Sequence, residues 1–106
     1  MAGKAVFLVR SVVADESLRE RFDQWYSTEH LPLAISTLGA DKGWRAWSKT
    51  DPSVHYAAYH FDSMEKLEAS LASDGFKAIV ADYDKTWPQG VTRSREVLHF
   101  AEEVLG

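Results

Sequence analysis

Trp25-Tyr26-Ser27-Thr28-Glu29-His30-Leu31-Pro32 sets the reading of the chain on either side of it. Upstream, Leu18, Phe22, Trp25 and Tyr26 recur at helical spacing, while Arg19, Glu20, Arg21, Asp23 and Gln24 fill the rest of the circumference. That is an amphipathic helix with one face on a core. Ser17-Leu18-Arg19-Glu20 has the form of a capping box, which starts the helix near residue 17. Pro32 has no amide to give Thr28 and its ring clashes with that carbonyl, so the helix is expected to kink or end between Thr28 and Leu31. Leu31, Ile35 and Leu38 resume the apolar stripe until Gly39 stops it.

Before this helix, Lys4–Val13 is a nearly continuous apolar, β-branched run bounded by Gly3 and Asp15, as a strand buried on both faces requires. Its interruption is Arg10, whose parity sets it with Val6, Leu8 and Val12. It reads either as an arginine reaching water or as a cation aimed into a pocket. After the helix, Trp44–Thr50 and Val54–Asp62 flank the turn triplet Asp51-Pro52-Ser53 and predict a β-hairpin. A two-residue loop would place Trp47 on the face of Tyr56, Ala58 and His60, and a three-residue loop would place Trp44 there. Asp62-Ser63-Met64-Glu65 predicts a second helix capped by Asp62, which Asp74-Gly75 interrupts. Phe76, Ile79, Val80, Tyr83 and Trp87 then carry a second stripe as far as Pro88. Val91–Val104 is again strand-like, and more polar than the first strand.

The order strand, helix, strand, strand, helix, strand predicts an α+β fold, the ferredoxin-like β-α-β-β-α-β plait with a four-stranded antiparallel sheet. Both helices then lie on one sheet face and leave the other bare. The strands carry apolar residues on both parities, so something must cover that face, and a second copy about a two-fold axis is the economical partner.

With 106 residues, the chain is read as one domain spanning 1–106. Four Trp, four Tyr and five Phe exceed what one small core needs and predict an aromatic pocket or subunit interface. A net charge of −4 with scattered basic residues argues against nucleic acid and acidic membrane surfaces as partners. The absence of cysteine excludes disulfides, thiolate metal sites and cysteine nucleophiles, and fits a cytoplasmic address. No apolar run is long enough to span a bilayer. No nucleophile elbow, dinucleotide fingerprint or phosphate loop is present.

Phe22-x-x-Trp25-Tyr26-x-x-Glu29-His30-x-Pro32, followed by the hairpin and the Phe61-Asp62-Ser63 entry to helix two, resembles the dimeric α+β barrel superfamily. Within it the chain looks like the EthD-like proteins. The resemblance covers essentially the whole chain. It implies a homodimer and a pocket between sheet and helices, with a histidine at the end of helix one available for acid–base work. Relatives include cofactor-free monooxygenases, polyketide cyclases, isomerases, dehydratases and haem proteins.

His30 is therefore the expected catalytic residue, its ordinary pKa lying close to neutrality. Adjacent helical residues point about 100° apart, so Glu29 meets His30 only if the helix is already broken there. Trp25 and Tyr26 complete the core stripe, and Tyr26 keeps a second role as a phenol at the pocket rim. His60, Tyr56 and Trp47 are expected to shape the pocket, and Arg10 to offset enolate or carboxylate charge. His55 and His60 are five apart in one strand and face opposite sides, which defeats a metal chelate between them. The expected function is a small enzyme without cofactor or metal, acting on a hydrophobic aromatic or polyketide-like carbonyl compound. Isomerase, cyclase, dehydratase (lyase) and monooxygenase chemistry all fit. The alternatives are a non-catalytic carrier of a hydrophobic metabolite and, third, a haem-binding barrel.

Overall fold

The computed structural model describes residues 4–106; the Gly3 boundary expected for the first strand lies outside them. Strands β1 (Ala5–Val13), β2 (Lys42–Trp47), β3 (Val54–Phe61) and β4 (Val91–His99) form one antiparallel sheet in the order β2-β3-β1-β4. This is the strand order of the expected plait, with β1 and β3 central. The apolar β1 run fits a central position, because both of its faces are turned away from water over most of their length. Phe7 packs edge-on against Phe76 and Ser11 hydrogen-bonds Tyr83, so the odd residues of β1 face the helices.

The hairpin register pairs Trp47 with His55 and Trp44 with Ala58. The connection runs from 48 to 53, longer than either loop expected from sequence, because Asp51 organises it. Its carboxylate accepts from the Ser53 amide (3.1 Å) and hydroxyl (2.7 Å), and its carbonyl accepts from the Val54 amide at 3.0 Å. The parity is that of the three-residue alternative. Trp44 therefore shares a face with Tyr56, Ala58 and His60, whereas Trp47 lies on the helix-facing side beside His55.

The first helical region departs from the sequence reading at its cap. Asp15, not Ser17, makes the cap: its Oδ1 accepts from the Ser17 amide (2.9 Å) and hydroxyl (2.7 Å) ahead of a single 3₁₀ turn, Glu16–Leu18. Of the kink or end expected between Thr28 and Leu31, the helix does not end; its regular α-turns are interrupted just before Pro32. α1 (Arg19–Trp25) passes into a π-turn (Tyr26–His30) and on into α2 (Leu31–Leu38). The Leu31 amide reaches five residues back to the Tyr26 carbonyl, and the widened turn delivers Pro32 to the first turn of α2, where no amide is required of it. Gly39, at φ 69°, ends α2 in the left-handed region.

The second helical region is also in two parts, α3 (Met64–Leu71) and α4 (Asp74–Thr86). Ser63 and Ser73 cap them by accepting from the Lys66 and Phe76 amides, so the first cap sits one residue later than expected. A Cβ at Gly75 would come within 2.8 Å of Thr37 Cγ2, so this glycine lets α4 close on the end of α2.

The core is a cluster of rings. Phe22 is fully buried and meets Trp25, Tyr26, Trp47, His55, Tyr83 and Trp87 at centroid distances of 5.2–6.4 Å. Burying one such side chain contributes roughly 1.5–3 kcal/mol, so this cluster holds the helical layer on the sheet. The opposite face carries Val6, Leu8, Arg10, Val12, Tyr56, Ala58 and His60. There Trp44, 45% exposed, donates its indole N–H to His60 Nε2 at 2.9 Å, and Leu98 is 41% exposed. Among the described residues no helix is long and apolar enough to cross a membrane.

Candidate functional site

The π-turn closes on His30 and holds it under the helical layer, 4% exposed. Its ring stacks on Trp25 (4.4 Å, 20° between planes) and meets Tyr26 and Tyr83 edge-on at 5.0 and 5.6 Å. Nδ1 is buried without a hydrogen-bond partner, 3.9 Å from Oδ2 of Asp82 on α4. Burial pushes the imidazole down to about 4, against the opposing pull of Asp82 and with a smaller push from Arg93. His30 is therefore neutral at neutral pH.

His30 opens on a cavity of about 20 Å³ between sheet and helices, room for roughly one water. Phe7, Phe76, Ile79 and Val80 give it apolar walls, three tyrosines (26, 59 and 83) line it, and Arg93 and Arg95 of β4 complete it. Tyr83 and Ser11 share a buried hydroxyl–hydroxyl bond of 2.8 Å. The Tyr59 hydroxyl is buried without a partner, and burial pushes it up to about 12. The Tyr26 phenol lies close enough to oppose that rise, but the Tyr59 hydroxyl has no partner within hydrogen-bond geometry. Arg93 lies over the Tyr83 ring at 3.8 Å and donates to Asp84 Oδ1 at 2.8 Å.

The sheet register adds a polar row beneath these groups: Trp47, His55, Ser11 and Arg93 lie side by side across β2, β3, β1 and β4. His55, fully buried, is a second neutral imidazole. Burial and then Arg45 push it down to about 4, opposed by Asp23. Asp23 Oδ1 accepts from Arg45 Nη1 and from Trp47 Nε1, both at 2.7 Å. Trp47 is thereby committed to a structural network and does not line the cavity.

Of the residues singled out from sequence, His30 and Tyr26 meet at this cavity. Glu29 does not join them. It is exposed and lines a separate open groove of about 290 Å³ with Arg21, Trp25 and Trp87. The carboxylate that approaches His30 belongs to Asp82. Arg10, Tyr56 and His60 lie on the helix-free side of the sheet, away from His30, because their parity is opposite to that of Ser11, His55 and Ala57. The cation at the cavity is Arg93, which shares a β4 face with Arg95.

Tyr59, Asp82, Tyr83 and Arg93 were not identified as site residues from sequence. Tyr83 was visible there only as part of a core stripe. The others needed the sheet register and the seating of α4. Among the described residues no three of His, Asp and Glu gather as metal ligands would.

No protein-family profile and no curated protein sequence matches the chain. Solved structures do. The chain is similar to a mutant form of SnoaB, a cofactor-independent oxygenase from Streptomyces nogalater, at 13% identity and a TM-score of 0.71 over 97% of this chain and 98% of that one. An EthD-like protein from Ralstonia eutropha matches at 17% identity and a TM-score of 0.70 over 98% and 97% of the two chains. An EthD family protein from Bacillus halodurans matches at 20% identity and 0.68 over 94% and 99%. Putative antibiotic biosynthesis monooxygenases and a NIPSNAP family protein share the architecture as well, so the likeness is broader than the EthD resemblance read from sequence. What the chain shares with them is the fold, an α+β arrangement of helices on a four-stranded antiparallel sheet.

Proposed function

We propose that the protein is a small cofactor-independent enzyme acting on a hydrophobic, aromatic or polyketide-like carbonyl compound, with His30 as its acid–base residue. The observation that carries this reading is a buried, neutral imidazole over an apolar cavity edged by arginine. A neutral ring accepts a proton, and Nε2 is the nitrogen we assign to that task because Nδ1 is turned toward Asp82. Burial makes the imidazolium costly, and Asp82 offsets part of that cost as the proton arrives. Arg93 takes the charge-balancing role expected of Arg10. Isomerisation, cyclisation, dehydration and cofactor-free oxygenation can each begin from the enolate so formed. Similarity of fold to a cofactor-independent oxygenase supports the class of chemistry.

A cavity of about 20 Å³ is far below the roughly 300 Å³ of a typical ligand site, so α4 must part from β4 to admit substrate, at Phe76, Val80 and Arg95. Homodimerisation through the helix-free sheet face belongs to the same proposal, with Trp44, Leu98, Arg10, Tyr56 and His60 at the interface. So does a cytoplasmic address. The test is hydrogen–deuterium exchange at the acidic carbon of 2-tetralone, followed by NMR. His30→Ala is expected to lower the enzyme-dependent rate by roughly 10²–10⁴, and an unchanged rate would overturn the assignment. The low basicity of His30 favours one alternative, a carrier of a hydrophobic metabolite, which predicts binding of the ketone with no exchange at all.

A further inference from the structure

We infer that Tyr59 donates the hydrogen bond that holds the substrate's carbonyl oxygen while His30 removes the neighbouring proton, so that the substrate is an enolisable ketone seated with its oxygen against β3. This rests on the role of His30 proposed above.

The cavity has two walls that carry chemistry. The helical wall presents His30, and the sheet wall presents the Tyr59 phenol from β3. Among the described residues the buried polar side-chain atoms without a hydrogen-bond partner are His30 Nδ1, which is turned toward Asp82, His55 Nδ1 and Trp87 Nε1, which lie off the cavity, and the Tyr59 hydroxyl on its sheet wall. Tyr83, also at the cavity, has already committed its hydroxyl to Ser11. An orphaned buried hydroxyl is rare in folded proteins and destabilising where it occurs, and a catalytic role is one reason for keeping it. Tyr59 is built to be such a donor. It lies on a central strand, its ring stacks beside Phe7 at 6.1 Å and 28°, and it is 2% exposed. A donor fixed this way needs no reorganisation when charge develops in front of it. Burial keeps the phenol protonated throughout the working range, so it donates and does not compete as a base.

The step balances without a co-reactant. The proton on the carbon beside the carbonyl passes to the His30 ring. The C–H electron pair becomes the C=C bond of the enolate, and the carbonyl π pair moves onto oxygen, where the Tyr59 O–H meets it. Return of the proton to the same or a conjugated carbon gives exchange or isomerisation.

The experiment uses 2-naphthol, whose hydroxyl stands in for the enolate oxygen, and naphthalene, which has the same body without it. Binding of each to the wild-type protein and to Tyr59→Phe is measured by fluorescence titration, with a urea unfolding curve confirming that the variant is folded. Wild type is expected to prefer 2-naphthol, and Tyr59→Phe to bind it roughly ten- to a hundredfold more weakly while holding naphthalene as before. The inference is overturned if the variant keeps its affinity for 2-naphthol, if both ligands weaken together, or if wild type does not distinguish them. The 2-tetralone exchange assay separates the two proposals. Exchange that needs His30 and ignores Tyr59→Phe sinks this inference alone. Exchange indifferent to His30→Ala sinks the proposed function, and the naphthol comparison still decides whether Tyr59 is a donor.

Discussion

Lowering the pH from 7 to 4.5 should remove much of this protein's stability through two histidines. His30 and His55 are each held near a pKa of about 4 by burial, against an ordinary value of about 6.5 in the unfolded chain. Above pH 6.5 both rings are neutral in either state, and their burial carries no protonation penalty. As the pH falls below 6.5 the unfolded chain binds protons that the folded chain refuses, so stability drops until the folded rings titrate near 4. One pKa unit corresponds to about 1.4 kcal/mol, so the full gap amounts to roughly 3–4 kcal/mol per ring, and about 5 kcal/mol for the pair is already lost at pH 4.5. A domain of ordinary stability holds only about 5–15 kcal/mol in all.

Asp23, whose hydrogen bonds from Arg45 and Trp47 hold it below its ordinary value, acts in a lower window, because a depressed carboxylate loses its contribution only as the unfolded carboxyl protonates near pH 4. His60, lowered but only partly buried, adds a minor part of the same sign as the buried pair. Urea unfolding at half-unit steps from pH 7.5 to 4.5 should show stability falling with a slope that approaches about 2.7 kcal/mol per pH unit. His55→Leu should roughly halve that slope. An unfolding free energy that stays level between pH 7 and 5 would refute the reasoning, since it would mean that neither ring is buried neutral.

Removing the orphaned hydroxyl with Tyr59→Phe should raise stability by about 1 kcal/mol, a rise of roughly 4–8 °C in Tm by calorimetry. A loss would mean that the hydroxyl has a partner in the folded protein. Asp82→Asn removes the influence that raises His30, so the imidazole should fall further below about 4 in an NMR titration, and 2-tetralone exchange should slow while naphthol binding holds. Pro32→Ala restores an amide that can reach the Thr28 carbonyl. It should let the π-turn tighten into α-helix and separate His30 from Trp25, seen as loss of the ring-current shift on the imidazole protons.

The fold was legible because its signals are local. The β1 run, the Leu18–Phe22–Trp25–Tyr26 stripe, the Gly39 stop and the Asp51-Pro52-Ser53 turn each constrain a few neighbouring residues, and together they leave one topology. Half of the site was legible for the same reason, since Tyr26 and His30 lie on the helix that the stripe defines. The rest depends on alignment between distant segments. Parity grouped Arg10 with Val6 and Tyr56 with His60, yet nothing local says which parity the helices cover. The helices take the face of Phe7, Val9 and Ser11, and with that choice Arg93 and Tyr59 arrive at the cavity while Arg10, Tyr56 and His60 leave it. Asp82 sits one residue from the apolar Tyr83, and sequence gave no reason to prefer it over any other acid on α4. A meeting of Glu29 with His30 was conditional on a broken helix, and the π-turn that forms there leaves Glu29 exposed.

The π-turn makes the length of the first helical region a functional quantity in its own right. An ordinary helix tolerates exchange of almost any surface residue, and Ser27, Thr28 and Glu29 are all exposed. Deleting any one of them would take away the extra residue that the wide turn holds and close it to an ordinary α-turn, leaving α1 and α2 on their present faces while undoing the bulge that seats His30. Pro32 would then stand inside a continuous helix with no amide to give, and His30 would lose the widened turn that stacks it on Trp25. This stretch can therefore drift freely in composition while its residue count is held fixed, and an alignment that places a gap between Tyr26 and His30 would mark a protein whose site is built differently.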